Sequence, residues 1–112
     1  MSEIEKMYNN AGVEPIYPYT KCYPEFTAEK QLELIKWLNL NDKIDCFLSR
    51  HNELRNEWVL SAHCVTEFAN EKPFIYPGFN KEFSQALAML INYLWQDLTE
   101  EEKQQIKEIL NG

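Results

Sequence analysis

Residues 44–68, IDCFLSRHNELRNEWVLSAHCVTEF, decide the fold class of this chain. Ile44, Cys46 and Leu48 recur at every second position, and an alternation of the same period runs through 57–68. A period of two predicts strands that turn one face towards a core. The polar stretch 50–56 between them predicts the connecting turn, so the two strands should pair antiparallel.

Apolar residues at helical spacing flank this strand region on both sides. They predict helices over residues 3–11, 28–39, 81–97 and 100–110. The residues suited to N-capping are Ser2, Thr27, Asn80 and Thr99. Gly12 offers a left-handed stop after the first helix. The pattern over 81–97 has the clearest apolar face of the four.

Proline restricts two further segments. Three prolines lie among tyrosines at about 13–26 and predict an ordered segment without helix. Residues 74–76 lie between two prolines and predict a third strand only at a sheet edge, because proline cannot donate to a ladder. The sequence therefore predicts one α+β domain over 1–112, with a small antiparallel two- or three-stranded sheet packed against three to four helices.

The size and charge of the chain argue against some classes of function. A chain of 112 residues has room for one modest core, and a homodimer stays open as a further way to bury apolar surface. The net charge of −7 opposes direct nucleic-acid binding and attraction to anionic membranes. The first ten residues are polar, and the longest apolar stretch, 86–95, is half of what a bilayer crossing needs. We expect no membrane association.

The three cysteines predict neither a disulfide framework nor a metal site. Their number is odd and no Cys-x-x-Cys pair occurs, which is typical of reduced thiols and predicts a cytoplasmic protein. Cys46 and Cys64 are expected to be small apolar residues on the inward face of the sheet. Glycine-rich phosphate loops are absent, and residues 100–102 are expected to be solvated glutamates at a helix start. We predict no enzyme, catalytic residue, metal or cofactor.

Two groups of residues remain as candidate binding residues. Tyr17, Tyr19 and Tyr23 lie in the proline-rich segment, where they either pack over the core or offer rigid anchors to a partner. Arg50, His51 and Arg55 surround the predicted turn and form a local cationic cluster, which is either an ordinary solvated turn or a docking point for an anionic ligand.

Three segments of the chain resemble small uncharacterised accessory proteins of phages and prophages of Gram-positive bacteria. They are EIEKMYNNAGVEP (3–15), FTAEKQLELIKWL (26–38) and ALAMLINYLWQDLTEEEKQQIKEIL (86–110). The resemblance covers about half of the chain and leaves 41–81 unmatched. It implies a phage origin and the host cytoplasm, and it transfers no site residue.

Accessory proteins of this size and acidity often resemble antagonists of host enzymes or defence systems. The resemblance therefore predicts a binding protein that inhibits a host defence or nucleic-acid-handling protein, and complementary charge favours a basic partner. Its contact surface would be the acidic C-terminal half or the tyrosine-rich segment. The alternative is an oligomer that binds a nucleotide or another small anionic ligand through the cationic cluster. A composite Cys-His or carboxylate enzyme and a structural role in a phage particle are further alternatives.

Overall fold

The computed structural model describes residues 2–16, 22–64 and 75–112. The described residues form four helices and a three-stranded antiparallel sheet with strand order β1-β2-β3, which confirms the predicted α+β fold. The elements are α1 (Glu3–Ala11), α2 (Ala28–Leu40), β1 (Ile44–Asn52), β2 (Glu57–Cys64), β3 (Ile75–Asn80), α3 (Phe83–Trp95) and α4 (Glu100–Asn111).

Three of the helices begin at the predicted caps. The hydroxyl oxygens of Ser2, Thr27 and Thr99 each accept a hydrogen bond at 3.2 Å from the backbone N–H three residues later. At Thr99 the carboxylate of Glu102 accepts the cap residue's own N–H in return, which completes a capping box. α1 ends at Gly12, whose φ of 72° is left-handed.

The start of α3 differs from the prediction. The helix begins at Phe83 and not at residue 81, and its N-cap residue Glu82 makes no side-chain capping bond. Asn80, the predicted cap, is the last residue of β3, and its side-chain oxygen accepts the N–H of Glu82 at 3.0 Å. Asn80 therefore forms a short polar turn between strand and helix because the strand extends further than the prolines suggested.

The bounds of the third strand and of the connecting turn also differ from the prediction. β3 lies at the predicted edge of the sheet but covers 75–80, and Phe74 lies outside the described residues. The turn between β1 and β2 covers only 53–56, because pairing with Glu57 and Trp58 extends β1 through His51 and Asn52.

A β-bulge makes the predicted inward face of β1 wrong. The register shifts between Ile44 and Cys46, so one extra residue enters β1 there. Ile44 is buried as predicted, but Cys46 is exposed, and Leu48 is 55% exposed. Phe47 takes the inward position opposite Ala62. A one-residue insertion in a strand moves every later side chain to the other face, which is the physical reason for the correction.

α3 packs on β2 and β3 and forms the centre of the core. The inward side chains of Leu60, Ala62 and Tyr76 are buried beneath it. α1 packs against a second side of α3, while Tyr93 of α3 stays 50% exposed. A helix that is apolar on most of its circumference is stable only when buried in this way. The buried residues of α3 are Ala86, Leu87, Ala88, Leu90, Ile91 and Leu94.

Gly78 permits the close approach of α3 to β3. A Cβ atom at this position would lie 2.0 Å from the carbonyl oxygen of Ala86 and 3.0 Å from the Cβ of Leu90. Neither atom can move away independently, because the first belongs to the helix backbone and the second is attached to it.

We expect Gly78→Ala to lower the free energy of unfolding by about 3 kcal/mol, the upper range for overpacking a core. Urea unfolding followed by circular dichroism measures it. Gly12→Ala is the control, since its Cβ would meet nothing closer than Lys107 Nζ at 3.8 Å, and only its left-handed φ costs about 1 kcal/mol. Equal losses in the two variants would contradict the steric argument.

Candidate binding surface

The face of the sheet that points away from the buried side chains forms a surface of its own. Strand pairing places alternate residues of each strand on it, and we call this surface the outer face. Its residues are Cys46, Leu48, Arg50 and Asn52 of β1, Glu57, Val59, Ser61 and His63 of β2, and Ile75, Pro77 and Phe79 of β3. Each of these residues is exposed or half-buried.

Large apolar side chains are exposed to solvent on the outer face. Leu48, Ile75 and Phe79 are 55%, 53% and 48% exposed, and Val59 lies between Arg50 and Phe79 across the sheet. Single exposed apolar residues are ordinary, but several on one flat surface are typical of an interaction site. The outer face therefore has the character of a contact surface.

A hydrogen-bonded pair lies on β2 at the centre of the outer face. Ser61 Oγ and His63 Nε2 are 3.1 Å apart, as expected for residues two positions apart on one side of a strand. Their cross-strand neighbours are Leu48 and Pro77 beside Ser61, and Cys46 and Ile75 beside His63. The pair is thus a polar patch within a mainly apolar surface, and sequence reasoning missed it.

The structure shows packing for the one candidate tyrosine that it describes. Tyr23 is half-buried and stacks on Tyr8, with ring centroids 5.4 Å apart. Burial raises the pKa of Tyr8 to about 12, and its hydroxyl donates to the carbonyl of Glu25. Tyr17 and Tyr19 lie outside the described residues.

The candidate cationic residues do not share one face. Arg50 lies on the outer face opposite Val59, whereas His51 lies on the other face, with its ring centroid 5.2 Å from that of Trp58. Arg55 is in the exposed turn. Because neighbours in a strand point to opposite sides, Arg50 and His51 cannot converge on one small ligand.

A cleft of about 200 Å³ lies where the start of β1 meets the end of α3 and the start of α4. Its apolar lining includes Leu94 and Leu98. Lys43 Nζ and Asn41 Nδ2 each donate to a carboxylate oxygen of Glu102 at 2.6 Å. The side chain of Glu102 is only 12% exposed, so the expected solvated glutamate instead ties α4 to the beginning of β1.

The polar side chains that line the cleft already form hydrogen bonds with one another. Besides the bonds to Glu102, the hydroxyl of Tyr76 donates to the carboxylate of Asp97. Burial, with a further contribution from this hydrogen bond, raises the pKa of Tyr76. Burial and the charge of Asp97 also raise the pKa of the Cys64 thiol, which is the opposite of what a nucleophile needs. The network joins distant elements and offers little to an anionic ligand.

An open acidic groove of about 950 Å³ lies between α2 and α4. Four glutamates line it, with Leu32 and Ile109 as apolar neighbours. These glutamates are Glu25, Glu29, Glu33 and Glu108. Lys30 also lines the groove and offsets part of this negative charge.

Comparisons of this chain with family models, with curated proteins and with solved structures find no match. Within residues 2–16, 22–64 and 75–112, no three His, Cys, Asp or Glu side chains are placed to hold a metal ion. In that same part of the chain, no helix has the length and apolar character needed to cross a bilayer.

Acid should weaken the fold through Glu102. Burial raises its pKa, but the hydrogen bonds from Lys43, Thr99 and Asn41 outweigh this and lower it from 4.5 to about 2. A lowered pKa in the folded chain stabilises it fully above about pH 4.5, and this contribution is lost as the pH falls towards 2.

We expect Glu102→Gln to be up to about 3 kcal/mol less stable than wild type at neutral pH, and the difference to shrink below pH 4.5. Urea unfolding at several pH values measures it. Glu100→Gln is the control, because that carboxylate is 93% exposed. A deficit that stayed constant down to pH 2 would contradict the ion-pair role.

The cysteines should differ in alkylation rate. Cys22 and Cys46 are exposed, whereas Cys64 is half-buried and has a raised pKa. Thiolate is the reactive form, so iodoacetamide at neutral pH should modify Cys22 and Cys46 first. Peptide mass spectrometry over time measures the three rates. If Cys64 reacted fastest, it would be an activated thiol, contrary to the geometry of the cleft.

Proposed function

We propose that this chain is a small phage-encoded accessory protein that acts in the host cytoplasm by binding a host protein, without catalysis of its own. The outer face of the sheet is the contact surface. The observation that carries this proposal is the exposure of Leu48, Ile75 and Phe79 on one side of a sheet whose other side is buried by helices.

The chemistry of the outer face suits a protein partner. Protein contacts combine apolar side chains, which supply affinity when buried, with hydrogen bonds that fix the orientation of the partner. Leu48, Ile75 and Phe79 provide the apolar side chains, and the Ser61–His63 pair provides hydrogen-bonding groups among them. A small ligand would need a concave site, and the outer face is an open strand surface.

Charge supports the choice of partner. The net charge of −7 and the glutamate-lined groove between α2 and α4 favour encounter with a basic protein, such as one that handles nucleic acid or takes part in host defence. Binding that blocks the working surface of such a protein would make this chain an inhibitor. The phage origin is supported by the resemblance of residues 3–15, 26–38 and 86–110 to phage accessory proteins.

The alternative of a nucleotide or other anionic ligand stays a prediction. It needs Arg50, His51 and Arg55 to converge, and the alternation of β1 separates the first two. The structure therefore gives it less support than the protein-binding proposal.

The test is affinity capture from a Gram-positive host lysate with three forms of the tagged full chain. The forms are wild type, Ile75→Asp/Phe79→Asp on the outer face, and Leu40→Asp as a matched control. Leu40 is 75% exposed on α2, so this control introduces one aspartate, against two in the outer-face variant, at an even more open apolar position.

We expect wild type and Leu40→Asp to capture the same protein near one-to-one and the outer-face variant to lose it by at least about tenfold, since two buried contacts worth about 1.4 kcal/mol or more are removed. Unchanged capture by a folded Ile75→Asp/Phe79→Asp protein would contradict the assignment of the surface. Inhibition is then measured as loss of the purified partner's activity when the chain is added.

A further inference from the structure

The cleft between the start of β1, the end of α3 and the start of α4 has a floor of core side chains. Ile44, Leu94 and Leu98 line it, and all three belong to the buried hydrophobic core. An engineered cavity of about 150 Å³ with apolar walls is large enough to bind benzene. The cleft measures about 200 Å³, so it has room for one ring with a short substituent.

The charged side chains of the cleft leave one carboxylate without a cation. Lys43 and Glu102 neutralise each other through their ion pair at 2.6 Å. Asp97 accepts a hydrogen bond from the neutral hydroxyl of Tyr76, and in the described part of the chain no basic side chain lies within ion-pairing distance of its carboxylate. The cleft therefore combines an apolar floor with one excess negative charge.

The thiol of Cys64 lines the same space and is affected by this charge. Burial raises the pKa of the thiol most, and the negative charge of Asp97 raises it further, against an opposing effect of Lys43. A negative charge that disfavours a thiolate favours a cation in the same place.

We propose that this cleft binds a small organic cation, an ammonium group carried by a ring. The ring lies against Leu94 and Leu98, and the ammonium group donates to the carboxylate of Asp97. An apolar space with a few polar groups is the usual composition of a site for a small ligand. This site goes beyond the proposed function and does not require a host protein.

The hydrogen-bonding capacity of the cleft selects a cation over an anion. A carboxylate offers about four acceptor positions, and the Tyr76 hydroxyl uses one of those on Asp97, so an ammonium group can form a charge-assisted bond beside it. An anion finds no such partner, because the ammonium of Lys43 is already held by Glu102. The ligand is thus opposite in charge to the nucleotide considered for Arg50, His51 and Arg55.

The experiment uses three probes that share one ring and differ in charge: benzylamine, benzyl alcohol and benzoate. Each is titrated into the full chain at neutral pH, and binding is followed by amide NMR shifts of the residues that line the cleft. We expect benzylamine to bind with a dissociation constant on the order of 1 mM. Benzyl alcohol should bind about fivefold more weakly, since Asp97 is solvent-exposed and such an ion pair contributes little more, and benzoate should bind most weakly.

Two variants test the role of the carboxylate. Asp97→Asn keeps an acceptor for the Tyr76 hydroxyl but removes the charge, so benzylamine and benzyl alcohol should bind equally. Glu100→Gln is the matched control, because it removes one charge from a carboxylate that is 93% exposed and does not line the cleft. It should keep the fivefold preference. Circular dichroism confirms that both variants are folded.

Cys64 supplies a second readout that needs no variant. Benzylamine at five times its dissociation constant leaves about one sixth of the sites free, so alkylation of Cys64 by iodoacetamide should slow about sixfold. Cys22 and Cys46 are exposed and lie outside the cleft, so their rates should stay unchanged and report any loss of reagent. Peptide mass spectrometry over time measures all three rates.

A lysine side chain of a partner protein carries the same ammonium group as a free amine. Capture from host lysate in saturating benzylamine separates these two sources. We expect unchanged capture, because the outer face lies apart from the cleft, and loss of capture would overturn the assignment to a free ligand.

Three other results would overturn the proposal. The first is equal binding of the three probes by wild type, and the second is a folded Asp97→Asn protein that still prefers benzylamine. The third is a Cys64 alkylation rate that benzylamine does not change. None of them affects the outer-face proposal, which is tested by Ile75→Asp/Phe79→Asp.

Discussion

The close contact of α3 with β3 at Gly78 is the constraint on which the rest of the structure depends. A strand with a side chain at that position would hold the helix away from the sheet, because the Ala86 carbonyl lies where the Cβ would stand. With glycine there, the helix lies low enough for Leu90 and its neighbours to reach the inner residues of β2 and β3. The outer layer of α1 then closes the core around α3.

The described helices bury one face of the sheet, and apolar residues on its other face stay exposed. The outer face consequently keeps Leu48, Ile75 and Phe79 in contact with water. Such exposure costs free energy in the isolated chain and is recovered when another surface covers it. The outer edge of β1 likewise has no neighbouring strand among the described elements. Both features follow from a single sheet layer with helices on one side.

The glutamates of this chain have two different roles, one at the surface and one in the fold. The groove between α2 and α4 gathers four glutamates, with Lys30 among them. Glu102 differs from these exposed glutamates, because its side chain is largely buried. Glu102 accepts hydrogen bonds from Lys43, Asn41 and its own cap residue, and thereby fastens the last helix to the start of the sheet. The cleft beside it is lined by groups that serve the fold, so its chemistry supports neither a nucleophilic thiol nor an anion site.

Local patterns in the sequence were sufficient for the elements themselves. The caps Ser2, Thr27 and Thr99, the left-handed Gly12 and the apolar stripes of the helices act within one turn of the chain, so their consequences are visible without the fold. The alternation in 57–64 likewise predicted the inward face of β2, where Leu60 and Ala62 are buried. These predictions held because the interactions span only a few residues.

Tertiary structure alone decided the faces and the surfaces. The bulge at Ile44 and Cys46 reversed the predicted face of β1, because a register shift depends on the partner strand and not on the strand's own pattern. Asn41 and Lys43 meet Glu102 from about sixty residues away. The exposed face that carries the proposed function combines three strands. This face is exposed because the helices pack on the other side of the sheet. The side on which they pack is set by tertiary contacts and cannot be read from any single segment.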